Sequence, residues 1–161
     1  MVEPALDKVR DFAMLFHDGG RRFAGFSLFF NATTTSYGGN AVASDEAILS
    51  DLSGYILPSY AISLAVCLTE LLPSLFPLYH GPVGVDMLVY RSTDGDYRID
   101  PCVEINLRYT MGFVARSVYA KAGRRGIMTV SPASSSDNQG TSTLHLAPAG
   151  APFNFLFKAT D

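Results

Sequence analysis

The chain has 161 residues, 48% of them apolar and 17% charged, with a formal net charge of −3. The apolar share excludes disorder as a description of the whole chain, and the length suits one domain with a substantial core. The acidic balance supplies no basic face, so no nucleic-acid partner is expected.

Met1-Val2-Glu3-Pro4 has no basic region leading into an apolar core, so no signal peptide is expected. Residues 11–16 and 21–30 read as strands joined by the turn His17-Asp18-Gly19-Gly20. In the second of these, Ala24, Phe26, Leu28 and Phe30 form the more apolar face and are expected in the core. Asn31 to Asn40 is a loop by composition. Its Gly38-Gly39 pair, between Tyr37 and Asn40, either connects strands or brings bare backbone N–H groups to a ligand; without a following Gly-Lys-Ser/Thr it is not a P-loop.

Ser44 caps a helix over 45–54, with Asp45 and Glu46 placed favourably against its dipole. Pro58 opens a second helix over 58–72, and Ile62, Ala65, Val66, Leu68, Leu72 and Leu75 mark its apolar stripe. The apolar window from Ala61 to Tyr79 is broken by Glu70, Pro73 and Pro77. It reads as a buried helix rather than a membrane span, and no membrane partner is expected.

Gly81 to Gly112 reads as strand, turn, strand and helix start. Val83, Val85, Met87 and Val89 share one face of the first strand, and Asp86 is the only charge between Gly81 and Tyr90, on the other face. The turn Ser92-Thr93-Asp94-Gly95-Asp96 follows. In the second strand Val103, Ile105 and Leu107 alternate with Glu104, Asn106 and Arg108. A hairpin centred on Gly95 puts Asp86 opposite Glu104, and two facing carboxylates repel unless a cation lies between them. Carboxylate and amide oxygens are ligands for Mg²⁺, with water and nucleotide phosphates completing its shell, and Arg108 on the same face would reach a phosphate. The plainer alternative is a solvated sheet face. Pro101 implies an edge strand or a bulge, and a bulge would shift this register.

Residues 111–121 form a third helix stopped at Gly123, its N-terminus placed to favour a bound phosphate. A strand over 126–130 precedes the Ser-rich segment 131–143, expected to be mobile. Residues 144–147 and 153–157 are the last strands, with Phe153, Phe155 and Phe157 on one core-facing side. Cys67 and Cys102 are far apart and lack a CxxC partner, which fits a reduced, cytoplasmic setting. His17, His80 and His145 are scattered and read as structural or exposed. The fold expected is α+β: an antiparallel sheet with the helices packed on one face, in a single domain over 1–161.

Asp86, followed a hairpin later by Glu104-Ile105-Asn106-Leu107-Arg108, resembles the metal-binding end of the ATP-grasp superfamily, in its C-terminal lobe. The resemblance implies ATP and Mg²⁺ as cofactors, with Asp86, Glu104 and Asn106 on the metal and Arg108 as the catalytic, phosphate-holding residue. It places Glu3 near the adenine-binding hinge, on the ribose or adenine side of ATP; an exposed terminal glutamate is the alternative. It implies a carboxylate–amine ligase that activates a small-molecule carboxylate through an acyl phosphate for attack by an amine. The lysines and Gly-rich loop of the other ATP-grasp lobe have no counterpart among Lys8, Lys121 and Lys158. The chain is therefore expected to be a fragment completed by an N-terminal half, and inactive alone. The alternative is a non-catalytic binding or structural module derived from such a lobe.

Overall fold

A computed structural model describes residues 5–31, 37–132, 143–148 and 150–160. Among these residues eight strands form one sheet in the order β5-β4-β1-β2-β3-β6-β8-β7, and every neighbouring pair is antiparallel. In chain order these are β1 (Asp7–His17), β2 (Arg22–Asn31), β3 (Tyr37–Val42), β4 (Val83–Arg91), β5 (Tyr97–Asn106), β6 (Gly126–Pro132), β7 (Thr143–His145) and β8 (Phe153–Ala159). The helices are α1 (Asp45–Leu52), α2 (Pro58–Leu75) and α3 (Met111–Ala122). Over the described residues the fold is α+β, with an antiparallel sheet and three α-helices.

The helices do not share one face, which corrects the expected arrangement. Phe12, Met14 and Phe16 of β1 join Val83, Val85, Met87 and Val89 of β4 under α1 and α2. Ala13 and Leu15 point the other way and meet Phe113 of α3. The physical reason lies in the run Ala13-Met14-Leu15-Phe16, buried without interruption. A strand apolar on both faces needs cover on both.

Strand β2 carries a related correction. The β1–β2 ladder shifts register between Leu15 and Phe16, with Leu15 opposite Gly25 and Phe16 opposite Phe23. Past this bulge the faces exchange. Phe26 and Leu28 lie in the core under α1 and α2, whereas Ala24 packs beside Phe113 and Phe30 is exposed. Gly25 sits at the bulge with φ of 134°, and the Arg116 guanidinium occupies the space a Cβ would take.

Helix α2 is longer than expected and keeps Pro73 inside it. By length and composition it is apolar enough to cross a membrane. It buries Ala61, Ala65, Leu68 and Leu72 against the sheet, while Ile62, Val66 and Leu75 stay half-exposed. It is not a wholly buried helix. The spacing of the four buried positions follows one helical stripe, and the expected stripe spread over too wide an arc.

Residues 37–40 belong to strand β3 rather than to a loop; 32–36 lie outside the described residues, as do Glu3 and most of the Ser-rich segment. Gly39 is glycine for packing: a Cβ there would lie 2.3 Å from the Met128 carbonyl oxygen across the ladder. Of the three phenylalanines on β8 only Phe157 is fully buried, and Phe153 is exposed near the sheet edge.

Candidate functional site

The β4–β5 hairpin positions the acidic pair. Arg91 pairs with Tyr97, so the turn is centred on Asp94, one residue before the expected Gly95. That offset alone would separate Asp86 from Glu104. A bulge compensates: Leu88 pairs with Asp100 and Asp86 with Glu104, leaving Pro101, Cys102 and Val103 opposite the single residue Met87. Proline has no N–H for the ladder, and a bulge on an edge strand accommodates it. The two departures from the simple hairpin cancel, and Asp86 faces Glu104 directly.

Asn106 pairs with Gly84 and is buried, its Nδ2 donating to Asp86 Oδ2 at 3.1 Å. Glu104 is exposed on the rim. Arg108 follows the end of β5; its Nη1 donates to the Tyr109 carbonyl at 3.4 Å. Burial, then the neighbouring Glu104 charge, raises the Asp86 carboxyl to a pKa of about 6, against the opposing pull of Arg108 and the Asn106 hydrogen bond.

Asp86, Asn106 and Arg108, but not Glu104, border a cavity of about 210 Å³ whose lining also includes Thr110, Tyr37 and Asn40. Its far wall was not legible as a site. Asn40 is buried, donates from Nδ2 to Ser27 Oγ at 2.6 Å, and accepts from the Tyr37 hydroxyl. Burial raises the Tyr37 hydroxyl above its ordinary pKa, so it stays a neutral donor. The sequence signal was Tyr37 and Asn40 flanking the glycine pair. Their side chains, not the glycine backbone, line the cavity. Thr110 Oγ1 is a buried polar atom without a hydrogen-bond partner among the described residues. It belongs to the residue before α3, whose side chain makes no capping bond to the helix.

The structure thus brings together Asp86, Glu104, Asn106 and Arg108. Glu3 lies outside the described residues. Among those residues no cluster of three or more His, Cys, Asp or Glu side chains could enclose a metal. Two carboxylates and an amide suit a cation that takes most of its ligands from water or phosphate, as Mg²⁺ does, and not one held in a protein cage.

No protein-family model and no curated protein matches the chain. Among solved structures, N5-carboxyaminoimidazole synthetase from Staphylococcus aureus complexed with ADP is similar to it, with a TM-score of 0.48 and 8% sequence identity. That match covers 99% of this chain and 48% of the synthetase, so the chain spans about half the synthetase's length. A likeness of this size bears on neither the function nor the site residues.

Proposed function

We propose that the chain is the Mg²⁺- and ATP-binding portion of an ATP-grasp-like ligase acting on a carboxylate and an amine. The observation that carries this reading is the direct pairing of Asp86 with Glu104 beside Asn106 and Arg108. An unneutralised carboxylate pair in a half-buried setting is unfavourable, and a hard cation relieves it. In this reading Asp86, Glu104 and Asn106 hold the metal. Bound there, Mg²⁺ would neutralise phosphate charge during transfer. Arg108 would orient a phosphate oxygen through charge-assisted hydrogen bonds. The carboxylate and amine substrates rest on the resemblance of the Asp86 and Glu104-to-Arg108 pattern to that superfamily.

A second reading, a binding lobe without turnover, is favoured by where the cations lie. Among the described residues none of Lys8, Lys121 and Lys158 lines the acidic cavity, and Arg108 is the cation that does. Phosphoryl transfer draws on several such groups at once. The chain by itself is expected to bind nucleotide and to need phosphate-holding groups from a further segment or partner for turnover.

The test is a calorimetric titration of Mg-ATP into the wild-type chain and Glu104→Gln, with Mn-ATP broadening of backbone NMR signals as a second readout. Expected are metal-dependent binding, broadening centred on residues 84–86 and 104–108, and weaker binding in the variant with an unchanged spectrum. Equal binding by the variant, or broadening elsewhere, would refute the metal assignment.

A further inference from the structure

A second and larger cavity, about 770 Å³, shares no lining residue with the acidic one. It lies where strand β2, the start of α1 and the exposed side of α3 meet. Its volume falls in the range of small-molecule sites.

Two features define what it would hold. The first is an aromatic shelf. Phe113 sits 5.2 Å from the His17 ring and 5.3 Å from the Tyr109 ring, the latter edge-to-face at 84°. Tyr109 is exposed at the mouth. The second is the charge of the lining, which includes two carboxylates, Asp45 and Glu46, and the Arg116 guanidinium. Asp45 and Arg116 form a salt bridge, and Asp45 also accepts from the Phe26 backbone N–H at 2.9 Å. Those two charges offset each other. Glu46 is exposed, lines the same cavity, and forms no salt bridge among the described residues. A hydrogen bond from Ser44 and, to a smaller extent, the Arg116 charge favour its ionised form. Burial, then Arg22 and Arg116, lowers the His17 pKa, so the imidazole adds no positive charge at neutral pH.

We infer that this cavity binds a small organic cation, an ammonium carried on an aromatic or other ring body, with Glu46 holding the charge and the Phe113–Tyr109 shelf holding the ring. An anion of the same shape would meet the Glu46 carboxylate, which Arg116 offsets only from beyond salt-bridge distance while it is engaged by Asp45. A cation gains both the ion pair and the negative faces of the rings. The inference does not rest on the metal–nucleotide reading, since no residue is common to the two cavities.

The test uses phenethylamine and 3-phenylpropionate, matched in size and opposite in charge, titrated into the full chain and followed by backbone NMR. Phenethylamine is expected to give saturable shifts at residues 44–46 and 113–117, and 3-phenylpropionate none there. Glu46→Gln, an exposed position, is expected to weaken phenethylamine binding about three- to five-fold. Tyr109→Ala is expected to weaken it as well, and Asp86→Asn to leave it unchanged. No saturable shift with phenethylamine, equal binding of the two probes, or an unaffected Glu46→Gln would each overturn the inference.

Discussion

Asp86 shows how one buried charge sets a pH dependence. Folding raises its pKa from 3.8 to about 6. Between those values the folded chain binds more protons than the unfolded one, so stability falls as pH rises through that window and then levels off. Because the carboxyl is only partly buried, solvent screening trims the effect to about 1 kcal/mol. Denaturant titrations from pH 4 to 7 should show this decline in the wild type and its loss in Asp86→Asn. Asp45 makes the opposite case. Its carboxylate satisfies the Phe26 N–H and the Arg116 guanidinium together. Asp45→Ala leaves both without that partner and should cost about 1–3 kcal/mol by denaturant unfolding. The sequence showed Asp45 as a helix-start acid and gave no sign of Arg116, because their separation of 71 residues is a tertiary fact.

Among the elements, β5 and α2 were each legible in type and misleading in burial. The alternation of Val103, Ile105 and Leu107 marked one apolar side of the strand. The strand stands at the edge of the sheet, where Val103 is 54% exposed and Ile105 partly buried. Val103→Ala should therefore cost under about 1 kcal/mol. Leu72, fully buried on the inner side of α2 and against Gly20, should cost about 2–5 kcal/mol when cut to alanine. Thermal unfolding of the two variants side by side checks the contrast. Periodicity reports which residues share a side; it does not report whether anything lies against that side. For α2 the same limit left Ile62 and Val66 in solvent.

At the scale of the whole molecule, the sheet's antiparallel character was readable from short polar turns between strands. The crossing of α3 to the far face was readable in principle from the doubly apolar run of β1, whereas a helix's own apolar stripe does not say which side of a sheet it covers. The grouping of Asp86, Glu104 and Asn106 on one face was legible because strand alternation fixes which side chains share a face. Its other wall was not, since Tyr37 and Asn40 reach it only through the pairing of β3 with β2 and β6. The bulge opposite Met87 has a further consequence for how the gene can change length. Three residues stand opposite one, two more than a regular ladder needs. Losing two of Pro101, Cys102 and Val103 would straighten the strand and still leave Glu104 facing Asp86. Losing one would leave a one-residue bulge, the kind β2 already carries at Ala24, and the same pairing could close around it. Both shortened chains should keep the backbone NMR signals of residues 84–86 and 104–106 near their wild-type positions. The bulge is thus slack in the gene, where codons can be lost without parting the two carboxylates.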